Sequence, residues 1–264
     1  GKIRSVITIK IRSLTTTKTE QDRFMVIWNI ILKNKKWMLL LICCFTISCG
    51  NKADYHNKEG LYLYNKRKYD EAIVEFKKAL ELNQKHYDAH FNLGVVYYAK
   101  NMSDESIAEL KRAIEVNPNE PKAYYNIAFA YVAKETVADA ISAYKKAIEL
   151  YAAKKDKKEA EGYLYLAVAY SLIEKQEEAF NACKKAVEIN PELEDGHYFF
   201  GVCYYKKNMF DEAIAELKKT VQLNPKSEKA HSILLAIYDK LGNTEGVFEE
   251  NRILKQLEME RRDR

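Results

Sequence analysis

His86 and His90 stand four residues apart, a spacing that puts two imidazoles on one helix face, where they could hold a metal ion. His86, however, falls in a turn, and no carboxylate–histidine pattern follows it. There is no glycine-rich phosphate loop, no nucleophile elbow and no Cys-x-x-Cys pair. Acidic neighbours such as Glu249-Glu250 read as an exposed helix face. Cys183 and Cys203 are both expected inside the fold, either as two reduced core thiols or, in an oxidising compartment, as a pair. Nothing in these residues gives a positive reason for catalysis. The expectation is a protein that is not an enzyme and uses neither metal nor cofactor.

The elements that carry these residues recur every 34 residues, the mark of stacked helical hairpins. Five units, 53–86, 87–120, 121–154, 160–193 and 194–227, share a register, and a degenerate sixth covers 228–261. Position 8 of successive units reads Gly60, Gly94, Ala128, Ala167, Gly201 and, out of pattern, Leu235. Position 20 reads Ala72, Ser106, Ala140, Ala179 and Ala213, and position 27 reads Ala79, Ala113, Ala147, Ala186 and Thr220. Small residues are needed where helices cross at close range, and larger ones fill the space between. Leu63, Tyr97, Tyr131, Tyr170, Tyr204 and Tyr238 at position 11 are such fillers, as are Phe76, Leu110, Tyr144, Cys183 and Leu217 at position 24.

The helix stops repeat too. Asn117-Pro118, Asn190-Pro191 and Asn224-Pro225 close helices, with Asn expected in the left-handed conformation and Pro unable to continue the helix. Unit one keeps Asn83 without Pro. Unit three runs past its stop into Ala153-Lys154, and the five extra residues Lys155 to Glu159 imply a longer second helix and a change of superhelical phase. Position 4 carries His56, His90, His197 and His231, with Tyr124 and Tyr163 between. Successive repeats separate these histidines by about 10 Å, too far to share one ion.

Residues 53–259 resemble the tetratricopeptide repeat family in length, in small residues at positions 8, 20 and 27, in the aromatic at 11 and in Pro at 32. They depart at position 4, usually Trp in that family. The resemblance implies an all-α fold, a right-handed α–α superhelix whose first helices line a concave groove for a protein or peptide partner. Its groove positions fall on Phe91, Asn92, Val95 and Tyr98, then Lys122, Tyr125, Asn126 and Phe129. Leu164, Tyr165, Tyr198 and Phe199 continue them. Asn92 and Asn126 share position 6, from which related repeats hold an extended peptide backbone. The family's carboxylate clamp is incomplete here: Asn57, Leu61 and Asn126 replace its Lys, Asn and Arg. A cytosolic co-chaperone-like adaptor is the alternative reading.

The net charge of +5 conceals two unlike parts. Residues 1–52 carry +8 and residues 53–264 carry −3, so the repeats offer no basic stripe for nucleic acid. Lys77-Lys78, Lys145-Lys146, Lys184-Lys185 and Lys218-Lys219 take equivalent positions and read as a solvated face. Segment 1–24 is expected to be an unstructured or gene-model extension. In 25–49, basic Lys33-Asn34-Lys35-Lys36 precedes an apolar run to Cys49, as in a signal segment too short to span a membrane. Ser48-Cys49-Gly50-Asn51 resembles a bacterial lipoprotein signal, which implies lipidation at Cys49; an uncleaved signal anchor over residues 24–48 is the other reading. The array, 53–264, is then expected to be membrane-anchored at a bacterial cell envelope, facing the periplasm or exterior. Oligomeric state is not legible.

Overall fold

The computed structural model describes residues 52–262; Cys49 and the segments 1–24 and 25–49 lie outside the described residues. Among the described residues there are twelve helices and no strand. Helix α1 spans residues 52–65, followed by α2 Tyr69–Leu82, α3 Tyr87–Ala99, α4 Ser103–Val116, α5 Pro121–Ala133 and α6 Val137–Ala153. Then come α7 Lys158–Leu172, α8 Gln176–Ile189, α9 Glu194–Lys206, α10 Phe210–Leu223, α11 Glu228–Lys240 and α12 Thr244–Arg262. From α2 on, each helix packs on the next, and first helices touch along the stack at α3–α5, α7–α9 and α9–α11. The result is a superhelical solenoid of paired helices, held by nearest-neighbour interfaces.

Position 8 is small because position 24 of the same hairpin presses on it. A Cβ on Gly94 would sit 2.7 Å from Leu110, and one on Gly201 would sit 2.8 Å from Leu217. Phe76, Leu110, Tyr144, Cys183 and Leu217 are all buried, so each of the first five hairpins closes over its own position 24.

The turns correct one expectation. Asn83, Asn117, Asn190 and Asn224 end α2, α4, α8 and α10 in extended conformations, with φ between −145° and −132°, and not in the left-handed region. Each side-chain oxygen instead accepts from the backbone N–H two residues on, at Lys85, Asn119, Glu192 and Lys226. This is the Asx turn that a short amide side chain makes. Apart from Lys155, the left-handed residues lie inside the hairpins, at position 15: Arg67, Asn101, Glu135, Glu174, Asn208 and Gly242, with φ from 57° to 67°. In each hairpin the following N–H reaches back to the position-11 carbonyl, as from Met102 to Tyr97 at 2.9 Å and from Thr136 to Tyr131 at 2.9 Å. That is the Schellman closure.

The junction between α6 and α7 differs from the others. α6 has 17 residues against 14 in α2, α4, α8 and α10. It ends on left-handed Lys155, with Asp156 N–H bonded to Tyr151 O. Between units one and two, two and three, and four and five, a position-14 lysine pairs with an acid at position 18 of the preceding hairpin: Lys100 with Asp70, Lys134 with Asp104 at 2.5 Å, and Lys207 with Glu177 at 2.5 Å. Here those positions hold Ile173 and Ala138, and the junction is closed by packing instead. Gly162 takes Ile148 against its backbone, where a Cβ would meet it at 2.7 Å.

The first hairpin differs on its outer end. Positions 3 and 10 of later units face the preceding hairpin and are small or buried, as at Ala89, Val96, Ala123, Ala130, Ala230 and Ile237. In α1 the same positions are Tyr55 and Tyr62, 61% and 56% exposed. No described helix is long and apolar enough to cross a membrane.

Candidate binding groove

Four of the aromatic side chains assigned to the groove meet in one patch across three hairpins. Phe129 and Tyr165 lie 4.8 Å apart edge to face, Tyr125 and Phe129 5.0 Å, and Tyr125 and Tyr165 5.6 Å. Tyr98 reaches Phe129 at 6.2 Å and remains 40% exposed. Edge-to-face contacts of this kind add attraction beyond area burial. Beneath the patch sits buried Tyr144, stacked on Tyr165 at 6.2 Å. Burial pushes the Tyr125 and Tyr144 hydroxyls above the usual tyrosine range, and burial with nearby Asp156 and Glu120 pushes Tyr151 up to about 12. These phenols stay neutral hydrogen-bonding groups at any physiological pH.

The remaining assigned residues stand apart from that patch. Phe91 stacks on Tyr87 at 6.0 Å. Tyr198 and Phe199 contact each other at 5.2 Å, and Lys229 Nζ lies 4.6 Å above the Tyr198 ring. Lys122 is exposed. Leu164, read into the same wall, is only 3% exposed and belongs to the core. The two asparagines each spend an amide N–H internally: Asn92 donates to Asn57 Oδ1 at 3.0 Å, and Asn126 donates to the Lys122 carbonyl at 2.8 Å. They are not equivalent, since one bridges two hairpins and the other bonds its own helix.

His86 and His90 do not converge. His86 caps α3, accepting from Ala89 N–H at Nδ1 and donating from Nε2 to Asp54 at 2.9 Å. His90 bonds Glu109 through Nδ1 at 2.6 Å and donates from Nε2 to the Gln84 carbonyl at 3.0 Å. Among the described residues, no group of three or more His, Cys, Asp or Glu is placed to hold a metal ion.

The His90 arrangement recurs, and reading single positions missed it. His56–Glu75, His197–Glu216 and His231–Glu250 make the same bond at 2.6 to 2.7 Å, position 4 to position 23. His197 and His231 also donate to the carbonyls of Pro191 and Pro225, position 32 of the preceding unit. One ring thus ties both helices of a hairpin to the turn before it. Where position 4 is Tyr124 or Tyr163, position 23 is Ala143 or Ala182. That paired exchange was the available signal. The Glu216 carboxylate holds His197 above the usual histidine range, against the opposing effect of burial.

A cleft of about 850 Å³ near these pairs lies between α2 and α4 and is bounded by Lys77, Glu81, Arg112 and Glu115. It is open, charged and separate from the aromatic patch, whose residues do not line it.

Tetratricopeptide repeat profiles match residues 63–128 and 174–237, and a second profile of the same description matches 103–155. A search by sequence among curated proteins finds no match. Among solved structures, Pseudomonas aeruginosa PilF superposes with a TM-score of 0.67 at 15% identity, covering 81% of this chain and 91% of its own. PilW, described as a widely conserved type IV pilus biogenesis factor, gives 0.67 at 14% identity, covering 77% and 92%. YrrB, described as a repeat protein with an unusual peptide-binding site, gives 0.54 at 22% identity, covering 69% and 91%.

Proposed function

We propose, from the premise that this chain belongs to the tetratricopeptide repeat family, that it is an interaction scaffold whose inner wall recruits a protein segment at a bacterial envelope. One observation carries the reading: Tyr98, Tyr125, Phe129 and Tyr165 form a continuous, partly exposed aromatic surface across three hairpins, with exposed Lys122 three residues before Tyr125 on the same helix. Rigid aromatic rings give contact area at low entropic cost, and a cation on the same helix suits an acidic or carboxylate-bearing segment. Tyr198 and Phe199 extend the wall, and Phe91 with Asn92 begins it. Catalysis has no part in this reading.

Anchoring through lipidated Cys49 is part of the same proposal. The leader composition supports it, as does the outer end of the array, where Tyr55 and Tyr62, six and thirteen residues after Cys49, are exposed. Tyrosine side chains suit the headgroup layer of a bilayer, and a doubly acylated cysteine holds a protein stably there. The pilus biogenesis factor and the peptide-binding repeat protein that share the fold prompt the envelope-assembly and peptide-binding sides of the reading. Palmitate labelling of cells expressing the chain tests the anchor. Label lost in Cys49→Ala supports it, and unchanged label refutes it.

A further inference from the structure

Cys183 on α8 and Cys203 on α9 face each other across the interface of the fourth and fifth hairpins, with their sulfurs 3.8 Å apart. Simple core filling does not account for the pair. Position 24 is Phe76, Leu110, Tyr144 or Leu217 in the other buried cases, and only here does a small thiol replace the bulky filler. The two sulfurs are unequal. Cys183 is sealed at 1% exposed, whereas Cys203 borders an open cleft of about 520 Å³ together with Ser171, Gln176, Lys206 and Lys207.

We propose that Cys183 and Cys203 form a redox-active dithiol, with Cys203 the attacking sulfur, Cys183 the resolving one and a small disulfide the oxidant. The Cys183 thiol bonded to it, assisted by Lys206 and Lys207, holds Cys203 below the usual thiol range, whereas the same bond and burial hold Cys183 above it. Of those lysines, Lys207 also pairs with Glu177 and lies over the Phe180 ring, so its charge is fixed in place. The Cys203 thiolate attacks one sulfur of a disulfide RSSR; that S–S bond breaks, and one RS⁻ leaves with the electron pair and is protonated. Cys183 then gives up its proton and attacks Cys203 Sγ, expelling the second RSH. Two protein thiols are oxidised to one disulfide, and RSSR is reduced to two RSH. Closing the sulfurs from 3.8 Å to bonding distance needs a shift of about 2 Å. The product staples α8 to α9 and fixes the angle between two neighbouring hairpins.

The test uses the full chain and oxidised glutathione at mildly alkaline pH, read by peptide mapping because Cys43, Cys44 and Cys49 are also present. Trypsin releases Cys183 in residues 176–184 and Cys203 in residues 186–206. The expected product is these two peptides joined, with a melting midpoint raised by roughly 5 °C. Cys183→Ser is expected to accumulate one glutathione on Cys203, about ten-fold faster than Cys203→Ser accumulates it on Cys183. Failure of the joined peptide to form in the folded wild type would overturn the proposal. So would equal glutathione uptake by the two single variants.

Discussion

His197 donates from Nδ1 to Glu216 at 2.7 Å and from Nε2 to the Pro191 carbonyl at 2.9 Å, so both ring nitrogens face acceptors. An imidazole meets two acceptors fully only when it carries both protons. The ring is therefore a charged fastener joining α9, α10 and the turn before α9.

Its titration sets a pH dependence. Because the folded pKa of His197 is raised, its contribution is complete below the unfolded value near 6.5 and is lost as pH climbs through the folded value. Melting of wild type and His197→Gln, compared across pH, should show the largest gap on the acid side of neutrality. The gap should shrink as pH rises toward 9. A constant gap would mean that the proton is not part of the bond.

The exchange of His with Glu for Tyr with Ala is a second test. Glu216→Ala and His197→Tyr should each cost about 2 kcal/mol, since each leaves a partly buried polar partner unpaired. The double variant reproduces the pair at Tyr163 and Ala182, and should recover at least half of the summed loss. Simple additivity in chemical denaturation would separate the two positions energetically.

The left-handed turns predict opposite effects for opposite substitutions. Glu135 sits at φ 64° with a side chain that this region disfavours, so Glu135→Gly should raise stability by about 0.5–1 kcal/mol. Gly242 at φ 67° already has the tolerant residue, and Gly242→Ala should lower stability by about 1 kcal/mol. Urea midpoints at unchanged slope would read both.

Close helix crossing predicts the cost of a single methyl. In Gly201→Ala the new Cβ would lie 2.8 Å from Leu217 Cγ, which is a branch point and not a free chain end. A loss of about 1–3 kcal/mol with helicity retained is expected.

The period, the all-helical class and the close crossings were legible because small and large residues alternate at fixed offsets. Gly94 against Leu110 is that pattern made physical. The role of Asn117 was misassigned because an Asx turn and a left-handed cap favour the same residue. The histidine fasteners stayed hidden while position 4 was considered without position 23. Burial of Leu164 beside half-exposed Tyr165 depends on how α7 packs after the five-residue insertion, which residue types alone do not specify. Cys49 and its leader lie outside the described residues, so the anchor rests on leader composition and on the exposed Tyr55 and Tyr62.

Recruitment along the inner wall is tested most directly by placing a photo-crosslinking amino acid at single sites of the full chain in living cells. Tyr98 and Lys122 sample the aromatic wall, and exposed Lys218 on α10 samples the outer face. The account predicts discrete protein adducts from Tyr98 and Lys122 and none from Lys218. Adducts confined to Lys218 would contradict it.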